Sequence, residues 1–206
     1  MADPCTVHII DDNASFRWCV QKSLECAGFT CRAHESARQF LDELNAEIPG
    51  CVVLDLRMPE IDGLTLLRQL RAGGCKIPVI VLSAYADVST TVEAMKLGAM
   101  EVLQKPLVFT ILIAAVRLAW EKSLRDYGEK LAQEDARKRF DDLSPRELEL
   151  LELIVEGCSN KQIACKLNIS VKTVFNHRAH LMAKTRAGNA ADLARLATQA
   201  GLIPIH

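Results

Sequence analysis

Five polar side chains that could together hold a divalent cation and a phosphoryl group follow four short apolar stretches in the first half of the 206-residue chain. Asp11 and Asp12 follow VHII, Asp55 follows VVL, Ser83 follows VIVL and Lys105 follows EVLQ. Apolar, β-branched runs separated by helical stretches are typical of buried parallel strands. Because the chemistry of an open α/β sheet lies just outside the carboxyl ends of its strands, these side chains are expected to converge at one edge of a sheet.

The chemistry that such a group could support is phosphoryl transfer assisted by a metal ion. The adjacent carboxylates of Asp11 and Asp12, with Asp55 on a neighbouring strand, form a hard-oxygen site of the kind that suits Mg²⁺. A carboxylate can also act as a nucleophile and become an aspartyl phosphate. Phosphoryl transfer depends on positioning and on neutralised charge. Lys105 could supply the charge, and Ser83 could donate a hydrogen bond to a phosphoryl oxygen.

The elements that must position these residues alternate between strand and helix over the first 120 residues. The pattern predicts strands at about 6–11, 29–33, 51–55, 78–83 and 100–103. It predicts helices at about 14–27, 36–46, 63–72, 87–97 and 109–120. Alternating units of this kind are typical of a doubly wound α/β fold around a parallel sheet with right-handed crossovers.

Composition and charge indicate a globular chain whose two ends differ. No apolar run approaches the ~20 residues that a membrane helix requires, and the start, MADPCTVHII, lacks the features of a signal peptide. The expected location is therefore the cytoplasm, with no membrane partner. Residues 1–120 hold 11 basic and 14 acidic residues, whereas residues 143–206 hold 8 and 5. The positive excess makes nucleic acid a candidate partner of the last segment.

The eight cysteines contain no C-x-x-C pair and no spacing typical of a zinc site. They are expected to be reduced and to act mostly as small buried apolar residues. A redox-sensing pair of Cys26 and Cys31 is the alternative.

Residues 121–142 form a polar segment of mixed charge between the two ends. Apolar residues recur at helical spacing from the preceding helix into this segment: Phe109, Ile113, Val116, Trp120, Leu124, Tyr127 and Leu131. The stripe predicts a helix that continues through the linker with a seam like that of a coiled coil, although Gly128 costs ~1 kcal/mol relative to Ala. The alternatives are a solvated loop, or a helix that packs only up to Trp120.

The last segment, residues 143–206, has the pattern of a small all-α domain. Ser144, Pro145 and Glu147 form a helix start with a capping box. Residues 159–183 predict two helices joined by a tight turn, the helix-turn-helix arrangement in which the second helix enters the major groove of DNA. The candidate DNA-binding residues are Lys161, Lys172, Thr173, Phe175, Asn176, His177, Arg178 and Lys184.

The acidic pair, the third aspartate, the serine and the lysine, in this order and at these strand ends, resemble the receiver domain of two-component response regulators over residues 1–120. The resemblance implies a flavodoxin-like sheet of five parallel strands. It implies that Asp55 accepts a phosphoryl group from a sensor histidine kinase, and that Lys105 and Ser83 hold the phosphoryl oxygens. The implied ligands of Mg²⁺ are Asp11, Asp12, Asp55 and the backbone carbonyl of Arg57.

Two features of the site depart from the usual receiver pattern or adjust it. Val102 stands where the family usually has an aromatic residue that swings inward with the hydroxyl, so the signal is expected to travel by a backbone shift instead. Arg57 and Tyr85, each two residues beyond a site residue, are candidates to border the site and to set how fast the phosphoryl group arrives or hydrolyses. Their alternative role is that of ordinary surface residues.

The second half carries its own resemblance. LSPRELELLELIVEGCSNKQIA followed by LNISVKTVFNHRAHLMAKT resembles the LuxR-type helix-turn-helix over residues 143–206. A receiver joined to this module resembles the NarL/FixJ group of response regulators. The resemblance implies a DNA-binding transcriptional regulator that is no enzyme beyond its own phosphoryl transfer and dephosphorylation.

Phosphorylation is then expected to favour a homodimer that binds two promoter half-sites, with RNA polymerase as a further partner. The dimer is expected to form through the fourth helix, fifth strand and fifth helix. The apolar residues assigned to it are Ile111, Leu112, Ile113 and Val116.

The recognition helix departs from many relatives at Phe175, where a charged residue is common. Phenylalanine cannot neutralise a phosphate, but it can contact a thymine methyl group, and Asn176 could make a bidentate contact with adenine. The alternative is that Phe175 packs in the core of the small domain.

Three other functions remain open at this point. The first is a regulator that is independent of phosphorylation and is a constitutive dimer. The second is an enzyme that hydrolyses phosphate esters through an Asp nucleophile. The third is a regulator controlled by its thiols.

Overall fold

The computed structural model describes residues 5–45, 48–84 and 88–203, and the chain divides into two compact units, Met1–Tyr127 and Gly128–His206. The N-terminal unit is built on five parallel strands in the order β2-β1-β3-β4-β5. The strands are β1 Thr6–Ile10, β2 Cys31–His34, β3 Gly50–Asp55, β4 Val79–Ser83 and β5 Glu101–Gln104. The flavodoxin-like, doubly wound sheet is therefore confirmed.

Five helices connect and cover the strands. They are α1 Ala14–Cys26, α2 Ala37–Glu43, α3 Gly63–Ala72, α4 Val88–Lys96 and α5 Phe109–Lys138. The side chains of Asn13, Ser36 and Asp62 cap α1, α2 and α3, because each accepts a hydrogen bond from a backbone N–H of the first turn. Helix α2 ends at Glu43, three residues before the predicted end, which lies outside the described residues.

Successive residues of each strand face opposite sides of the sheet, and each side has its own core. On one side Val52, Leu54 and Val81 pack among residues of α2, α3 and α4. On the other side Val53, Ile80 and Leu82 pack among residues of α1 and α5. Because both faces are covered, the central strands β3 and β4 are apolar up to their last residues, Asp55 and Ser83, as is typical of buried parallel strands.

Helix α5 continues to Lys138, so the segment predicted as a helical linker is helical over most of its length. The stripe that packs on the sheet differs from the predicted seam. The buried residues are Leu112, Val116, Ala119 and Ser123, whereas Phe109 and Leu131 are exposed. The hydroxyl of Ser123 accepts a hydrogen bond of 2.9 Å from the buried N–H of Gly50, at the start of β3.

The C-terminal unit is all-α, with helices α6 Pro145–Val155, α7 Asn160–Leu167, α8 Val171–Thr185 and α9 Ala190–Gln199. Ser144 and Ser159 begin α6 and α7 with capping boxes. The core is formed by residues of all four helices with Ala136 and Phe140 from the end of the linker. No helix among the described residues is long and apolar enough to cross a membrane.

Candidate functional site

The three predicted carboxylates meet at the carboxyl edge of the sheet. Asp11 follows β1 directly, Asp55 is the last residue of β3, and one ligand atom from each of Asp11, Asp12 and Asp55 lies within 4.8 Å of the others. Asp11 and Asp55 are buried, and Asp12 is exposed. The N–H of Asn13 donates to Asp11 Oδ1 at 2.9 Å, so the start of α1 holds that carboxylate. These are hard oxygen donors, and as a set they fit Mg²⁺.

Lys105, which follows β5, is the positive charge of this site. Its Nζ lies 2.8 Å from Asp11 Oδ2 and 2.9 Å from Asp55 Oδ1. Its backbone N–H donates to the carbonyl of Ser83 at 2.8 Å, and the peptide bond between Lys105 and Pro106 is cis. Ser83 is buried at the end of β4. The sheet therefore brings together all five residues that the sequence placed at strand ends.

Burial and charge set the protonation of the two central groups. Burial raises the pKa of Asp55, and the negative charges of Asp11 and Asp12 add to this, while the hydrogen bond from Lys105 opposes it. Burial lowers the pKa of Lys105, but its hydrogen bonds to Asp11 and Asp55 outweigh burial and raise it above the ordinary value. The ammonium of Lys105 thus pairs with two of the three clustered carboxylates, and the third, Asp12, adds negative charge that favours a cation.

The loop after β3 contributes a close backbone contact that the sequence analysis missed. A Cβ atom at Gly63 would lie 2.3 Å from the carbonyl oxygen of Asp55, and the N–H of Gly63 donates to the carbonyl of Leu56 at 2.9 Å. Only glycine fits here, and the Asp62-Gly63 pair was the available signal. Arg57 is exposed on this loop, and Tyr85 lies outside the described residues. Val102 is half-buried on β5 and packs with the core beneath α3 and α4.

Phe16 is a second residue that the sequence analysis missed. Its ring lies under the ammonium of Lys105, with Nζ 3.9 Å from the ring centroid. An aromatic residue in the first turn of a helix is not by itself a signal, so only the structure reveals the contact.

Helices α7 and α8 form the predicted helix-turn-helix within the C-terminal unit. Asn168 closes α7 in the left-handed conformation, with φ of 52°, and Ser170 caps α8. Lys161, Lys172, Phe175 and Asn176 are exposed, while Thr173, His177 and Arg178 are half-buried. The guanidinium of Arg178 donates to Asn160 Oδ1 at 3.1 Å, which ties the two helices together.

Burial and bonding bear on two expectations about the recognition helix. Phe175 is 58% exposed, so it does not pack in the core, a place that Val174 takes instead. Lys184 is 41% exposed, and its Nζ donates to Glu147 Oε2 at 2.7 Å and to the carbonyl of Asp142 at 3.1 Å. Its role at DNA stays a prediction.

The expected dimer residues require a correction. Leu112 and Val116 are completely buried in the receiver core and offer no surface to a partner, because they form the stripe of α5 that faces the sheet. Ile113 is half-buried against the same core, and Ile111 is 53% exposed. Exposed apolar residues outside the predicted set include Val88, Val92 and Met95 on α4 and Leu118 on α5.

The eight cysteines all lie in the described part of the chain and are free. Burial raises the pKa of Cys51, and it raises the pKa of Cys31 to about 12, with Glu25 adding to the effect. Since the thiolate is the reactive form, these two thiols are poor redox sensors, and the Cys26–Cys31 alternative loses support.

Two family models match the chain. The model of the response regulator receiver domain matches residues 7–117, and that of the bacterial regulatory proteins of the luxR family matches residues 141–197. The transcriptional regulatory protein FixJ of Azorhizobium caulinodans is 42% identical over 99% of this chain and 97% of its own. FixJ of Rhizobium meliloti is 39% identical over 97% of this chain and 98% of its own.

Two solved structures show the same similarity. The response regulator StyR has a TM-score of 0.86 and 34% identity, covering 96% of this chain and 100% of its own. Full-length FixJ from B. japonicum has a TM-score of 0.56 and 36% identity, covering 96% and 98%.

Proposed function

Because the chain belongs to the response regulators of two-component systems, in the NarL/FixJ group with a LuxR-type DNA-binding domain, we propose that phosphorylation of Asp55 controls its binding to promoter DNA. The observation that carries the proposal is the position of Asp55 between two further carboxylates and the ammonium of Lys105. A sensor histidine kinase is the proposed donor. The proposed site of action is the cytoplasm, where promoter DNA and RNA polymerase, a further partner, are found.

In the proposed transfer, a carboxylate oxygen of Asp55 attacks the phosphorus of a phosphohistidine, the P–N bond breaks and an aspartyl phosphate forms. Lys105 is already hydrogen-bonded to Asp55 and offsets the charge of the phosphoryl oxygens. Ser83, buried at the neighbouring strand end, donates a hydrogen bond to one of them. A bound Mg²⁺ would supply further positive charge, held by Asp11, Asp12, Asp55 and the backbone carbonyl of Arg57.

The test is intact-protein mass spectrometry after incubation with Mg²⁺ and a small phosphoryl donor. Wild type should gain one phosphoryl group and Asp55→Ala none, because the acceptor is removed. Asp42→Ala, which removes an exposed carboxylate on α2, is the matched control and should behave as wild type. A wild-type protein that gains no phosphoryl group from the donor or from a kinase would contradict the proposal. Steady turnover of a generic phosphate ester would instead favour the enzyme alternative.

We further propose that phosphorylation favours a dimer through the face formed by α4, β5 and α5. The exposed apolar residues of this face include Val88, Val92, Met95 and Ile111, and they support the proposal because covering apolar surface lowers the free energy. Sedimentation with and without a phosphoryl donor tests the idea, and Ile111→Asp should weaken the phosphorylated dimer. A dimer in both states would favour the alternative that is independent of phosphorylation.

For DNA, we propose that α8 enters the major groove, with Lys161 and Lys172 at phosphates and with Phe175 and Asn176 at base edges. The exposure of Phe175 supports a contact with a thymine methyl group. Phe175→Lys should change the sites selected from a random-oligonucleotide library, whereas Lys161→Ala should weaken all sites alike and lower the salt slope by about 1. Unchanged site selection by Phe175→Lys would refute the base-edge role.

A further inference from the structure

The ammonium of Lys105 is held from three sides. Two of its three donors point at carboxylates, to Asp11 at 2.8 Å and to Asp55 at 2.9 Å, and the third side faces the ring of Phe16 at 3.9 Å. A cation within about 6 Å of a ring centroid is attracted by the negative face of the ring, and more strongly where water is excluded. The side chain of Lys105 is only 20% exposed, so the contact lies largely out of water.

The position of Phe16 is itself fixed by the acidic site. The backbone N–H of Asn13 donates to Asp11 Oδ1. The side-chain oxygen of Asn13 accepts a hydrogen bond of 3.0 Å from the backbone N–H of Phe16. The next residue, Arg17, donates to the backbone carbonyl of Asp11. The start of α1 is therefore bonded to Asp11 at two atoms, Oδ1 and the backbone carbonyl, and it delivers the ring of Phe16 to Lys105.

We propose that Phe16 is a positioning residue for phosphoryl transfer, which holds the Lys105 ammonium at Asp55 without accepting a conventional hydrogen bond from it. The ring attracts the cation but has no lone pair, so it does not compete with a phosphoryl oxygen for the donors of Lys105. This inference rests on the proposed role of Asp55 as acceptor. It goes beyond that role because it names a residue that touches neither the phosphoryl group nor a metal ion.

The reaction used for the test is transfer from phosphoramidate in the presence of Mg²⁺. The P–N bond of the donor breaks, a carboxylate oxygen of Asp55 forms the new P–O bond, and the donor nitrogen, already protonated in phosphoramidate, leaves with the bonding electron pair as ammonia. Negative charge on the phosphoryl oxygens is offset by Lys105 during this step. A Lys105 that is less well held should slow the step.

The experiment replaces Phe16 in the full chain by phenylalanines with increasing numbers of ring fluorine atoms, and separately by leucine. Fluorination weakens the negative ring face while the ring keeps nearly the same shape. The rate constant of phosphorylation should fall stepwise along the series, and Phe16→Leu should be slower by about three- to tenfold, the ratio expected for one cation–π contact. The melting temperature of each variant is measured alongside, and it should fall only slightly along the fluorinated series, whereas a larger fall in Phe16→Leu reports lost packing.

Phe29 provides a matched control, because its ring also lies under a cation, Arg117 at 5.5 Å, away from the acidic site. The same fluorinated residues at Phe29 should leave the phosphorylation rate unchanged. A second measurement needs no reaction: the methylene protons of Lys105 should show an upfield ring-current shift in the NMR spectrum that Phe16→Leu removes.

The outcomes separate this inference from the proposed function. If wild type is phosphorylated on Asp55 but its rate is the same at every degree of fluorination, Phe16 only fills space and the inference is wrong. If wild type takes up no phosphoryl group at all, the proposed function fails and this inference fails with it.

Discussion

Replacing Glu147 with glutamine should destabilise the C-terminal unit. It should also remove the loss of stability that protonation of the Glu147 carboxylate causes at low pH. Glu147 occupies the first turn of α6, and its side chain is 6% exposed. Its Oε2 accepts from the N–H and the hydroxyl of Ser144, both at 2.8 Å, and from Lys184 Nζ at 2.7 Å. Glutamine keeps the shape and one acceptor oxygen for Ser144, but it cannot form the ion pair that joins α6 to α8.

The size of the expected loss in the free energy of unfolding follows from the pKa of the Glu147 carboxyl group. The hydrogen bond from Lys184, aided by the backbone N–H of Ser144, lowers the pKa of Glu147 from 4.5 to about 2. At about 1.4 kcal/mol for each pH unit between these values, the full effect would be ~3 kcal/mol. Because the side chain of Lys184 is 41% exposed and water screens its charge, we expect a loss of ~1–2 kcal/mol in the free energy of unfolding.

The pH dependence has a defined sign. The folded-state pKa lies below that of the unfolded chain, so the stabilisation by Glu147 is complete above pH 4.5 and is lost as the pH falls toward 2. Wild type should therefore lose stability over this range relative to Glu147→Gln, which has no carboxyl group to titrate. The difference between the two proteins should shrink as the pH falls.

The assay must report on the C-terminal unit alone, because Trp18 and Trp120 both lie in the N-terminal unit. Amide hydrogen exchange of buried residues of α8, such as Leu181, measures the loss at pH 7, and the same measurement repeated between pH 2 and 6 follows its pH dependence. Glu152→Gln, on the exposed face of α6, is the matched control and should change stability by less than about 0.5 kcal/mol. Equal exchange rates in wild type and Glu147→Gln at pH 7 would refute the reasoning.

Three further predictions concern the N-terminal unit. Gly63→Ala should lower the free energy of unfolding by ~1–3 kcal/mol and slow phosphorylation, because its Cβ would lie 2.3 Å from the carbonyl oxygen of Asp55. Urea unfolding followed by tryptophan fluorescence measures the loss of stability, and unchanged stability would contradict the prediction. Arg71→Met should lower the free energy of unfolding by ~1–3 kcal/mol in the same assay. The guanidinium of Arg71 donates to the carbonyls of Cys75, Ile77 and Gly98 at 2.8, 3.1 and 2.8 Å, and methionine cannot make these bonds. Burial and the neighbouring His34 lower the pKa of His8 from 6.5 to about 4. The N-terminal unit should therefore lose stability as the pH falls from 6.5 to 4, since the unfolded chain binds the proton first. A melting temperature that does not change between pH 6.5 and 4 would contradict this prediction.

The acidic site could be predicted from sequence because its geometry follows from topology. Parallel strands end at the same edge of a sheet, so a residue that follows any strand of the sheet lies near residues that follow the others. Asp11, Asp55 and Lys105 needed no further information than this. The ring of Phe16 and the close contact at Gly63 depend instead on the paths of individual loops and helices, which no periodicity encodes.

The dimer residues Leu112 and Val116 were wrongly assigned for a different reason. Two stripes at spacings of three and four residues run along α5, and both include Val116. The more apolar stripe, with Phe109 and Leu131, predicted a seam like that of a coiled coil, whereas the stripe that faces the sheet contains Leu112 and the polar residue Ser123. The ion pair of Lys184 was also not predicted, because its partner Glu147 is 37 residues away in the chain.

The hydrogen bond from Gly50 to Ser123 bears on where the receiver ends as an independently folding piece. The receiver family model stops at residue 117, and the sequence pattern suggested residue 120. A fragment cut at either position would lack the hydroxyl that satisfies the buried N–H of Gly50. An unsatisfied buried donor costs roughly 1–3 kcal/mol, a large fraction of the stability of a small domain. The shortest receiver fragment with its full stability therefore extends at least one turn of α5 beyond the family boundary, to include Ser123.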